Sequence, residues 1–272
     1  PNHLMRLILA LLFLCISLVV QGQTPPLSVD SAIGRFDIAS SLEYNVSSDT
    51  NLDQPPLTGW QTFTAPTIAL NRDERLHWFR FSVKSMAAEP LSFYLELANP
   101  TLDFISVYTR ENERIDHLKN LGDTLPFSNR VIYSENFLIP LSLLAGQEKE
   151  IYLAVSSRGP ISFPLTLWQA DAFHQEDNIR QLRAGLFVGI AGSALAICLI
   201  LAVYQRSILR LGDGVLLSFA LLLVLYYEGL GFHYLWPHAI GLQQTAGYLF
   251  TTLSLACSAA CLKARFSAID ED

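Results

Sequence analysis

The charges of this chain are missing in blocks. No Asp, Glu, Lys or Arg occurs from Leu7 to Val29 or from Ala184 to Gln205, and between Gly214 and Leu262 Glu228 stands alone. A soluble chain carries roughly a quarter charged residues over its surface, whereas here 16% are charged and 51% hydrophobic. Uncharged apolar runs of about 20 residues have the length of a membrane crossing. The chain is therefore read as membrane-bound.

The first block is the shortest. Leu7 to Val20 follows Arg6 and ends at Gln-Gly-Gln-Thr-Pro-Pro, and it spans only ~21 Å of helix against a hydrocarbon core of ~30 Å. This fits a secretory signal over 5–22 cleaved near Gly22, with Met5 as the natural start; an uncleaved anchor is the alternative. Three spans are expected later, at 184–204, 215–236 and 240–262, with a tail at 263–272. The loop after the first holds Arg206 and Arg210, the exit of the third holds Lys263 and Arg265, and Trp236 to Ala239 holds neither Lys nor Arg. By the positive-inside rule the spans run out, in, out, in. The region before them then lies outside and the C-terminus in the cytoplasm, which agrees with the signal segment. Arg180 and Arg183 sit on the outer side as a mild exception.

Residues 23–170 have a different texture. Phe79, Phe81 and Val83 alternate with Trp78, Arg80 and Ser82; Leu91, Phe93, Leu95 and Leu97 form one face of the next run. Further short runs are expected at 102–108, 132–138, 151–155 and 163–167, separated by Pro, Gly and Asn. Period-two alternation in short, regularly spaced runs without a long amphipathic helix predicts an antiparallel β-sandwich. Residues 171–183 are read as a linker. The acidity belongs to this outer region: residues 23–182 hold 12 Lys and Arg against 20 Asp and Glu. A net charge of -7 excludes the basic footprint of a nucleic-acid binder. All four cysteines, Cys15, Cys198, Cys257 and Cys261, lie in the apolar blocks, so no disulfide framework or cysteine-based zinc site is expected in the sandwich. The sequence contains no phosphate-cradling glycine loop, His-Glu-x-x-His or Gly-x-Ser-x-Gly. No enzyme activity, metal or cofactor is expected. Glu111, Glu113 and Asp116 read as a solvated hairpin turn rather than a carboxylate site.

Two features inside the spans stand out. Gly185, Gly189 and Ser193, spaced by four, make a small-residue stripe on which helix backbones approach closely; self-association is compatible with it, as is ordinary bundle packing. Glu228 is read as a membrane-embedded carboxylate, which costs ~2.5–3.5 kcal/mol to insert and so should face a helix or a wet cavity. Water at the outer interface is the alternative.

The residues then form a pattern. Trp78-Phe79-Arg80-Phe81, Leu102 to Tyr108, Gly122-Asp123 with Pro126-Phe127 and Arg130, and Pro164-Leu165 before the apolar tail resemble the extracellular sensor domain, type 2, of bacterial 7TM receptors with diverse intracellular signalling modules. Arg210 and Asp213, then Gly229 and Gly231 leading to Leu235-Trp236-Pro237, are similar to the start of their membrane bundle. The resemblance implies a jelly-roll exodomain like carbohydrate-binding modules, coupled through seven helices to a kinase, cyclase or related output in the bacterial inner membrane. This chain has three spans and no output residues, so a fragment, a frameshifted product or a receptor without its output half is expected.

A jelly roll that binds sugars stacks them on aromatic faces and orients them with fixed polar groups. Trp60, Trp78, Tyr108 and Trp168 are candidate platforms, and Arg80, Asp103 and Arg130 candidate polar groups. Trp78 and Arg80 are preferred because they share one strand face; core filling and Arg-Asp pairing are the alternative. The expected function is a sensory receptor for a small molecule or carbohydrate, held in the lipid bilayer. The alternatives are a membrane-tethered carbohydrate-binding or interaction module without signalling output and, more remotely, a transporter component built on Glu228.

Overall fold

The computed structural model describes residues 24–47, 54–65, 67–71, 73–112 and 114–270. The signal segment expected over 5–22, with Cys15 and the cleavage position at Gly22, lies outside the described residues.

Alternating side chains dictate two packed sheets. The larger runs in the order β4 (Gln61–Thr62), β3 (Glu43–Ser47), β6 (Asp73–Ser85), β11 (Glu148–Ser157), β8 (Phe104–Glu111) and β9 (Arg114–Leu121), and β1 (Leu27–Val29) pairs in parallel with the end of β6. The smaller runs β10 (Phe137–Leu143), β7 (Leu91–Leu97), β13 (Leu165–Gln169), β2 (Arg35–Asp37). A short pair, β5 (Ile68–Leu70) with β12 (Ile161–Phe163), lies beside them. Apart from β1 every pairing is antiparallel. Phe79, Phe81, Ile105, Val107, Leu153 and Val155 of one sheet meet Phe93, Leu95, Leu97, Ile139, Leu165 and Leu167 of the other. All are buried, as one inward face per sheet requires. The fold is the expected antiparallel sandwich followed by three long apolar helices.

The strand edges differ from expectation in two places. The run at 132–138 is mostly loop, and the strand there is β10, starting at Phe137. β9, where only the hairpin turn of Glu111 to Asp116 is expected, is a full edge strand of eight residues.

The helices differ more. The expected linker at 171–183 is helix: α1 runs unbroken from Ala170 to Tyr204, 35 residues. α2 spans Ile208–Tyr227 and α3 Ile240–Asp270. The second apolar helix therefore begins seven residues before Val215 and ends well before Trp236. Its end is set by Gly229, whose φ of 75° suits the left-handed turn after a helix. A side chain there would strike the sandwich, since a Cβ would lie 2.7 Å from the Pro100 Cβ. One wide turn, Gly231–Leu235, follows.

Candidate functional site

The two outer faces of the sandwich have different fates. On the larger sheet, the outward positions of β6, β8 and β11 stand side by side: Tyr152 is opposite Arg80 on one flank and Tyr108 on the other. They line a groove of about 400 Å³ with Arg110, Ile115 and His117. Arg80 pairs with Glu43 and lies over the Trp60 ring, 4.5 Å from its centroid. Arg110 approaches Glu150 at 3.6 Å, and Glu150 accepts a 2.7 Å hydrogen bond from the Tyr152 hydroxyl. Burial, reinforced by that bond to Glu150, holds the Tyr152 phenol above its ordinary range, so at neutral pH it stays a hydroxyl. The His117 ring lies 4.9 Å from that of Tyr108, and its Nε2 is 2.9 Å from Asn120 Oδ1. Two arginines thus face two carboxylates, so the groove carries no excess charge; Tyr108 and Tyr152 line its floor, each with only 3% of its surface exposed.

The smaller sheet's outer face is covered by α1. Phe173 packs edge-on to Tyr94 and Trp168, with ring centroids at 5.3 and 6.4 Å. Glu96, 2% exposed, is the polar centre of this contact. It accepts hydrogen bonds from Trp168 Nε1 at 2.7 Å, Asn136 Nδ2 at 2.7 Å and Arg180 Nη1 at 2.6 Å. A buried carboxylate needs such a full set of donors. The chain therefore enters the membrane from a helix already locked to the sandwich.

A second lock lies at the lower end. The Phe127 ring meets Phe232 at 5.5 Å and stacks on His233 at 4.6 Å, within a cluster that includes Trp236, Ala246 and Phe250. Beneath it Arg130, between the Phe127 and Phe137 rings at 4.4 and 4.3 Å, donates to the carbonyls of Ser134, Glu135 and Asn136. Gly122 must be glycine: at φ 144° a Cβ would sit against the Asp103 carbonyl. This turn carries Asp123 into the contact with α3. There burial, and after it the negative charge of Asp103, pushes the Asp123 carboxyl up to about 7. Asp103 itself is engaged by Arg158, with 3.1 Å between Nη2 and Oδ1.

The structure does not gather the four candidate ligand residues into one site. Arg80 lies in the groove. Trp78 lies under it, 1% exposed and tilted against Tyr108 at 5.6 Å, so it supports the platform and offers no face to a ligand. Asp103 and Arg130 sit at the membrane end of the sandwich, where Arg158 and backbone carbonyls occupy them. Trp60 caps the groove through Arg80, and Trp168 belongs to the α1 contact. Arg110, His117 and Tyr152 escaped the sequence reading. The parity that singled out Arg80 marks Tyr152 on its own strand, but only strand order makes the two neighbours.

Glu228 lies one position past the last helical residue of α2, exposed, where Gly229 ends the helix. A Cβ added to Gly185 or Gly189 would meet nothing within 4 Å, and Ser193 spends its hydroxyl on the Gly189 carbonyl at 2.7 Å. Among the described residues the stripe packs against no other helix.

A two-layer β-domain whose one outer face is a groove and whose other face is fastened to a long apolar helix defines a membrane protein with an outward domain. The model of the 7TMR-DISM extracellular 2 family matches residues 45–169 of that domain, and the apolar helices after it are consistent with the start of a seven-helix membrane region. No curated protein matches the chain. Among solved structures, a family 35 carbohydrate binding module from an environmental isolate is similar at 12% identity and TM-score 0.30, over 51% of this chain and 94% of that one. The native family 35 module from Clostridium thermocellum is similar at 12% identity and TM-score 0.27, over 51% and 100%. A Bacillus thuringiensis Cry1Da tryptic core variant is similar at 12% identity and TM-score 0.29, over 55% of this chain but only 26% of its own length.

Proposed function

We propose that the chain is the sensing part of a membrane-bound receptor whose sandwich takes a neutral, hydroxyl-rich ligand, a carbohydrate, in the groove of Arg80, Tyr108, Arg110 and Tyr152. The observation that carries this reading is the division of labour between the two outer faces. One is an open groove whose charges cancel and whose floor is aromatic; the other is bound to α1 through Glu96. Oriented polar groups of cancelled charge suit a neutral, hydroxyl-rich ligand over an ionic one. Ligand-dependent change at the groove reaches the helices through β8, β11 and the two locks, provided the ligand binds two arrangements unequally.

The orientation is part of the proposal. Arg206, Arg210, Lys263 and Arg265 at the far ends of the helices favour a cytoplasmic C-terminus in a bacterial inner membrane. The chain acts by binding and carries no catalysis of its own. The test is a thermal-shift and calorimetric screen of the full chain in detergent against neutral and acidic oligosaccharides. Binding of a neutral glycan that falls at least tenfold in Arg80→Ala and in Tyr152→Ala is the expected result. An unchanged glycan affinity in both variants would sink the assignment.

A further inference from the structure

A second cavity lies where the sandwich meets the membrane. It holds about 640 Å³ between the sandwich, α1 and the end of α2. Its lining has a direction. Ala184 and Phe187 of α1, with Val224 and Leu230 beside the end of α2, form an apolar part, and Glu135, Asn136, Arg180, Arg183 and Glu228 supply polar groups. Ala184 opens the uncharged stretch of α1 and Val224 lies one turn from the end of α2, so the apolar part is level with the outer edge of the hydrocarbon. An occupant that satisfies both parts has a polar head and an apolar body.

The charges say which head. Arg180 is held by Glu96 at 2.6 Å, and Glu135 lies 3.3 Å from His233 Nδ1. Two charged groups are left to meet an occupant. Arg183, with its side chain 66% exposed, spends Nη2 on Glu176 at 3.0 Å and keeps other guanidinium donors. Glu228 is exposed, and its carboxylate has no hydrogen bond or ion pair among the described residues. An arginine suits a phosphate, and a carboxylate rejects a purely anionic head while accepting hydrogen bonds from an ammonium. The cavity thus offers one cationic and one anionic contact above an apolar floor. We propose that it is a binding site for a zwitterionic phospholipid with a primary-amine headgroup, its phosphate on Arg183 and its ammonium on Glu228. Such a lipid would sit wedged between the sandwich and both helices, and the domain's seating on the membrane would depend on it.

The experiment uses the full chain in detergent, equilibrated with mixed micelles of phosphatidylethanolamine, phosphatidylcholine and phosphatidylglycerol in equal amounts and read by native mass spectrometry. The expected result is one retained phosphatidylethanolamine, its retention lowered about tenfold in Arg183→Gln and in Glu228→Gln, as loss of one charged hydrogen-bonding partner implies. Arg114→Gln, on the exposed β9 edge, keeps wild-type retention. Glu228→Gln also gains phosphatidylglycerol, a readout that a merely misfolded variant cannot produce. Retention of phosphatidylcholine or phosphatidylglycerol by the wild type as strongly as phosphatidylethanolamine, wild-type retention in both variants, or no retained lipid would each overturn the proposal.

Discussion

Asp123 makes the attachment of sandwich to helices depend on pH in an unusual direction. Its side chain is 2% exposed, and its carboxyl is pushed from 3.8 to about 7, first by burial and then by Asp103. Arg158, which pairs with Asp103, and Gln243 of α3 are the polar groups that moderate the shift. A folded-state value above the unfolded one means that the contribution to stability is full below about pH 4 and is lost as pH rises through about 7. Each unit is worth about 1.4 kcal/mol, so the full span is worth about 4 kcal/mol. Some of it is already lost by pH 5, where the unfolded chain is ionised. Between about pH 5 and pH 8.5 the wild type should lose about 3 kcal/mol that Asp123→Asn, which resembles the protonated acid, retains. The assay is thermal unfolding of both chains in detergent over that range, read as a difference so that titrations common to both cancel. The variant should gain on the wild type as pH rises. Parallel curves would refute the reasoning, because they would mean that Asp123 is ionised in the folded protein throughout.

The two locks give further tests. Arg180→Ala leaves the buried Glu96 with Trp168 and Asn136 but no cation, and should destabilise the chain by about 3 kcal/mol while Glu96→Gln in the same background recovers part of it; denaturant titration reads both. Phe127→Ala removes the ring that fills the Phe232–Trp236 cluster and should cost about 3 kcal/mol. Hydrogen exchange should show that loss as faster exchange in Gly231–Leu235 and the first turns of α3, with the strands of the larger sheet unchanged.

The sandwich was legible because its core obeys a single rule. Phe79, Phe81 and Val83 face in as their spacing demands, and so do Leu91 to Leu97. β9 was not legible for the same reason turned round: Arg114 to Leu121 is a polar edge strand paired on one side only, and nothing forces alternation on it. The start of α1 was read as a linker because it buries little beyond Phe173; what makes it helical is the match between Phe173, Arg180 and the outer face of a sheet far away in sequence. The candidates along β8 part company in an instructive way. Asp103 and Tyr108 fall on one expected strand and look like neighbours, yet five residues carry them ~17 Å apart, one to the membrane end and the other to the groove. Period two assigns a face; it does not assign an end.

α1 is one helix of 35 residues from the sandwich to Tyr204, ~52 Å of continuous hydrogen-bonded backbone, with no glycine turn or proline to interrupt it. Its glycines, Gly185, Gly189 and Gly192, all lie beyond Arg180. The first turns of α1 therefore follow the sandwich as one body through Phe173 and Arg180, and any bend taken up on the way to Tyr204 falls to the glycine-bearing stretch.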